Sequence, residues 1–104
     1  MIFSALLVAA STGDLNLWQA YEQCLIDNAV IYSELNEPAE TIATAAEAAC
    51  RSQRLRANLE AKAPRGQLAE FTARMERSAR SSAVKAVLDM RLARKLMDDA
   101  GEPK

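Results

Sequence analysis

Histidine is absent from this chain. Its absence removes the commonest general base, the side chain that titrates nearest neutral pH, and the commonest metal ligand. Cysteine occurs only at Cys24 and Cys50. Two thiols cannot build a cysteine-rich zinc site, and their spacing matches no zinc pattern. Glycine and proline are limited to three each, and the aromatics to Trp18, Tyr21, Tyr32, Phe3 and Phe71. There is no strand-like alternation of Val, Ile and Thr. There is also no glycine-rich phosphate loop, nucleophile motif or EF-hand spacing. Glu22, Asp27, Glu40 and Glu47 could serve as acid or base, but no spacing singles out a pair. The sequence therefore points away from an enzyme and calls for no cofactor and no metal.

What is present is alanine, the best helix former, in a chain of 104 residues. That length suits a single domain with a modest core. Apolar periodicity predicts helices over about 15–35, 38–63 and 67–99. The expected fold class is all-α: an antiparallel helical hairpin followed by one long C-terminal helix, in a single domain spanning 14–104. Asn36-Glu37-Pro38 marks the hairpin turn and Pro64-Arg65-Gly66 the second turn. Pro38 suits the first helical position, with Asn36 or Glu37 as its cap and Glu40 in the first turn, where the dipole favours a carboxylate.

Cys24 and Cys50 each lie thirteen residues from position 37. If the chain folds back there, both thiols reach the same level of the helix pair, and a disulfide joins them. On the first helix, Trp18, Tyr21, Leu25, Tyr32 and Leu35 share a face with Cys24, Ala29 and Asn28; the Asn28 amide then needs a buried hydrogen bond. On the second, Ile42, Ala45, Ala46, Ala49 and Gln53 line one side, with Cys50 at the edge. Small alanines let the backbones approach to disulfide range.

The last helix carries two apolar rows. Leu68, Phe71, Met75, Ala79, Ala83, Ala86, Met90, Ala93 and Met97 form a stripe expected to pack on the hairpin. Val84, Leu88, Leu92 and Leu96 form a second row, about 140° around the helix. Either another part of the chain covers this row, or it is an interface for a protein partner or a homo-oligomer.

Charge is lopsided. Residues 1–50 hold seven acids and no Lys or Arg, while all thirteen bases fall after position 50. One reading is internal complementarity between an acidic arm and basic helices. The other is a basic face for an anionic partner such as a membrane surface or a cell-wall polymer. Arg51, Arg54 and Arg56 cluster on the second helix, and Arg74, Arg77 and Arg80 on the third; these are the candidate anion-binding residues. No aromatic side chain interleaves with them to stack on bases, which argues against nucleic acid. Glu47/Arg51, Glu70/Arg74 and Glu76/Arg80 have the four-residue spacing of helical ion pairs.

The run Ile2–Ala10, ending in Ala9-Ala10-Ser11, reads as a signal peptide over 1–11 or as a short apolar helix. It is too short to span a bilayer. Trp18-x-x-Tyr21-x-x-Cys24, with Glu37-Pro38-Ala39-Glu40-x-Ile42-Ala43-x-Ala45-Ala46 and then Cys50, resembles small exported helical proteins of proteobacteria that carry a cysteine on each arm of a hairpin. The resemblance covers about half the chain. It implies a periplasmic or secreted location and a hairpin fold, but no activity. The expected function is therefore binding, as a helical accessory or scaffolding protein. The alternatives are a peripheral binder of anionic envelope surfaces and a cytosolic helical protein with two free thiols.

Overall fold

A computed structural model describes residues 14–61 and 65–101. The apolar run at the N-terminus and Pro64 of the second turn lie outside the described residues. The elements are α1 (Asp14–Tyr32), α2 (Ala39–Ala49), α3 (Arg51–Glu60), a short 3-10 turn (Arg65–Gln67) and α4 (Leu68–Gly101). The all-α class and the long C-terminal helix are as the periodicity predicts.

Contacts between distant residues set the directions. Glu22 meets Ser82 and Ser33 meets Arg94, so α4 runs parallel to α1. Asn58 meets Glu76 and Glu47 meets Arg80, so α4 runs antiparallel to the α2–α3 arm. The result is an up-down-up layer of three rods, 60 × 38 × 18 Å overall. α1 packs against all three other helices, and α2 also packs on α4.

The core lies where the rods converge. Trp18, Tyr21 and Leu25 of α1 meet Ile42, Ala43 and Ala46 of α2 and Ala79, Ala83 and Val87 of α4, all essentially buried. A Leu or Ile side chain taken fully out of water contributes about 1.5–3 kcal/mol. Alanines facing one another let the helices approach closely. Trp18 and Tyr21 pack edge to face, their ring centroids 5.8 Å apart. The Trp18 indole N–H is buried with no hydrogen-bond partner among the described residues, at a cost of about 1–3 kcal/mol.

Four features depart from the sequence reading. First, α1 ends at Tyr32 rather than near residue 35, and Leu35 is 56% exposed instead of facing the core. The Ser33 hydroxyl donates to the Val30 carbonyl at 2.7 Å and competes with the helical pattern, and Pro38 ahead disfavours helix in the residue before it.

Second, the α2–α3 arm is not one helix over 38–63. It breaks at Cys50, whose φ of −105° and ψ of 21° lie outside the helical well. Hydrogen bonds continue across the break, from Cys50 N–H to the Ala46 carbonyl and from Arg54 N–H to the Cys50 carbonyl. The arm therefore bends without unravelling. Beyond the first turn of the arm, Ala45, Ala49 and Gln53 face solvent, and Ala43 and Ala57 take the buried positions.

Third, Pro38 is itself the N-cap of α2, and neither Asn36 nor Glu37 supplies a side-chain cap. Fourth, the buried line on α4 is rotated toward Val87, which is fully buried. Leu68, Ala93 and Met97 of the expected stripe are exposed. The hairpin ends at the level of Arg91 and Arg94, so the last turns of α4 extend past the other described helices.

Candidate functional site

Cys24 and Cys50, 26 positions apart in sequence, are joined as a disulfide, with Cα atoms 6.0 Å apart. The fold-back about position 37 brings them level, as the symmetry predicts. Asn28, one turn after Cys24, donates from Nδ2 to the Cys24 carbonyl at 2.9 Å. The same nitrogen lies 3.6 Å from the Cys24 Sγ and 3.4 Å from the Cys50 Sγ. The amide expected to be buried is thus half-buried and satisfied beside the cross-link. Cys50 is entirely shielded from solvent.

The second apolar row of α4 divides. Val84 is half-buried and packs against the core at the flank of α2. Leu88, Leu92 and Leu96 are 54%, 56% and 58% exposed. Each step of four residues advances about 40° around the helix, which carries the row from the α2 seam to the side opposite the hairpin. The three leucines therefore form a ridge on the outer surface.

The arginines divide according to how many of their donors are engaged. Arg80 is committed to the hairpin: Nη1 donates to Glu47 Oε1 at 2.8 Å, and Nη2 reaches the Glu40 carboxylate and carbonyl, both at 3.0 Å, and Thr44 Oγ1 at 3.2 Å. Arg54 faces Glu76 at 3.5 Å, and Asn58 donates to the same Glu76 oxygen at 3.3 Å. Arg51, Arg56, Arg74 and Arg77 are exposed. The six candidates are thus not one patch: Arg54 and Arg80 are engaged in the seam between the arm and α4, Arg51 stands exposed at the edge of that seam, and Arg56, Arg74 and Arg77 are exposed outside it. The first half's acids meet bases of the second half at Glu40 and Glu47, the internal complementarity that the charge asymmetry allows.

Two arginines that no sequence signal marked do most to close the hairpin turn. Arg91 donates to the carbonyls of Ser33 at 3.2 Å, Leu35 at 2.8 Å and Glu37 at 2.6 Å. Arg94 donates to the Ser33 hydroxyl at 3.1 Å. The last turn of α1 contains no basic residue. Its end and the following turn leave carbonyls that need donors, and a cation is favoured there. The donors come from more than fifty positions later in the chain, so no local pattern could show them.

A groove of 390 Å³ opens where α1, the α2–α3 arm and α4 meet, lined by Tyr21, Glu47, Ala48, Arg51, Arg54 and Glu76. Tyr21 forms its floor and is 1% exposed. Burial, together with the Glu47 and Glu76 carboxylates and against Arg54 and Arg80, pushes the Tyr21 phenol up to about 12, so it remains a hydrogen-bond donor at neutral pH.

The chain matches no family model, no curated protein and no solved structure. Its chemistry must therefore be read from its own surfaces. Among the described residues these are a leucine ridge, a polar groove with a phenol at its floor, and a shielded cross-link. No described helix is long and apolar enough to cross a membrane.

Proposed function

We propose that this is an exported helical protein of the bacterial envelope that acts by binding, as an accessory or scaffolding protein, through the outer face of α4. The observation that carries the reading is the ridge of Leu88, Leu92 and Leu96, each more than half exposed, which turns from the flank beside α2 at Leu88 toward the outer side of α4 at Leu96. Contiguous aliphatic rows left in water usually mark an interface. Residues repeating every four positions form the ridge that packs into the matching groove of another helix at about −50°. Another protein or a second copy of this chain would bury the row in that way.

The envelope location is supported by the Cys24–Cys50 cross-link, because disulfides persist in oxidising compartments and are rare in the cytosol. The resemblance to exported proteins with a cysteine on each hairpin arm supports it too. Both cysteines are engaged in the cross-link, which favours this reading over a cytosolic protein with two free thiols.

Two measurements test the proposal. Intact mass of the protein from its native host, with and without reductant, reports leader cleavage and the cross-link together; a full-length, reduced chain would end the envelope reading. Light scattering and capture from the native envelope, on wild type and Leu88→Asp, test the ridge. The expected result is loss of association in the variant with helicity unchanged. Identical association in both proteins would overturn the role of the ridge.

A further inference from the structure

We propose that the partner of the α4 ridge is a second copy of this chain, docked antiparallel about a two-fold axis at Leu92, a statement that rests on the ridge being an interface. Spacing, charge and access point to it.

Lys85, Leu88, Leu92, Leu96 and Asp99 follow one another at intervals of three, four, four and three positions, and all five are exposed. At about 100° per residue, they fall within about 40° of one line along α4. The pattern is symmetric about Leu92, so its spacing is the same read in either direction. A two-fold contact requires such a surface, because the same patch is used by both copies. Turned antiparallel, Leu92 of one copy meets Leu92 of the other, and Leu88 meets Leu96 in the layers on either side. Leu88 and Leu96 lean to opposite sides of the line, so in those layers they pack side by side rather than end to end.

The ridge is bounded by a cation seven residues before Leu92 and an anion seven residues after it. An antiparallel copy brings Lys85 level with Asp99 at both ends of the contact. A parallel copy in the same register sets Lys85 against Lys85 and Asp99 against Asp99, which is repulsive. Lys85 also holds Asp89 at 2.7 Å on its own helix, in a pair open to solvent. An ammonium has three N–H donors, so it can take a second carboxylate without releasing the first.

The buried residues of α4, Ala79, Ala83 and Val87, centre about 180° around the helix from Leu92. Among the described residues, none of the five forms a hydrogen bond or ion pair with another helix; Lys85 bonds only within α4. A second rod can therefore lie along the ridge without breaking a bond that holds α4 to the hairpin. From Lys85 to Asp99 the contact runs about 21 Å, short beside a standard interface, so association should be weak and concentration-dependent.

The test is sedimentation velocity on the oxidised, full-length chain from micromolar to millimolar concentration. Wild type should pass from monomer to dimer, and Leu88→Asp should stay monomeric. Lys85→Glu and Asp99→Lys change exposed side chains, and circular dichroism should show their helicity unchanged. Each alone should weaken dimerisation about 10-fold, because like charges then meet at both ends. The double variant Lys85→Glu/Asp99→Lys should recover wild-type association, since every facing pair is again opposite in charge. Single variants that associate as wild type does, as a parallel pair would, overturn the antiparallel copy. So does a double variant no better than either single one. A wild type that stays monomeric throughout also overturns it; the ridge then remains an interface if capture of another envelope protein is lost in Leu88→Asp. Dimerisation that persists in Leu88→Asp overturns the second copy and the ridge together.

Discussion

Glu47 of α2 and Arg80 of α4 are joined at 2.8 Å across 33 positions of the chain. Each has a partner of opposite charge four residues away, Arg51 for Glu47 across the break at Cys50 and Glu76 for Arg80 on its own helix. Neither uses it. The carboxylates and guanidiniums exchange partners across the seam, Glu47 with Arg80 and Glu76 with Arg54. Both members of the Glu47–Arg80 pair are 30% exposed, so the cross-helix bond forms in a less watery setting than a pair on the open helix face. The pair also ties the long helix to the hairpin.

A double-mutant cycle on Glu47→Gln and Arg80→Gln is expected to give a coupling of about 0.5–1 kcal/mol, the upper part of the range for partly exposed pairs. The cycle on Glu47→Gln and Arg51→Gln should give less than about 0.3 kcal/mol, because that helical pair is not formed. Urea unfolding measures both, and equal couplings would contradict the exchange of partners.

Reducing the Cys24–Cys50 bond, or replacing both residues with Ala, frees a loop of 26 residues. On the chain-entropy estimate the cost is about 3–4 kcal/mol, a large share of a small domain's stability. Thermal melts with and without reductant should therefore differ by well over 10 °C. Coincident melts would show that the cross-link is not what holds the two arms together.

Arg91→Met removes the donors to three carbonyls of the hairpin turn. The expected loss is about 1–3 kcal/mol, since hydrogen bonds to charged donors are the stronger class. Amide exchange at residues 33–38 should accelerate more than at the core of α1. Arg91→Lys should not restore wild-type exchange, because one ammonium cannot reproduce the fork. Full rescue by Lys would reduce Arg91 to a point charge.

Tyr21 links stability to alkaline pH. Its pKa is raised from 10.0 to about 12 in the folded chain, chiefly by burial. The folded protein thus holds the proton where the unfolded chain releases it. The stabilisation is complete below pH 10 and is lost as pH climbs toward 12. Urea midpoints across that window should fall more steeply for wild type than for Tyr21→Phe, and parallel curves would show that Tyr21 is not the linked group.

The difference between the two levels of information is clearest on α4. Its periodicity shows that it is apolar on two sides. It does not show that Val87, between the two rows, is fully buried while Met97, in line with the first, is 73% exposed. That depends on where the hairpin ends. Likewise, a sequence with no helix breaker between Thr41 and Ala61 reads as one helix, and only the approach of Cys50 to Cys24 reveals the bend.

By itself the sequence determined the helical class, the place of the hairpin turn, the pairing of the two cysteines and the existence of a second apolar row on the last helix. Each of these is set by residue propensity or by spacings within a few turns, which a linear chain carries explicitly. Tertiary structure alone decided which charges pair, which arginines close the turn, and that a tyrosine lies beneath a polar groove. Those outcomes depend on groups twenty to sixty positions apart that meet only once the rods are packed, and the energy of each is set by its burial there.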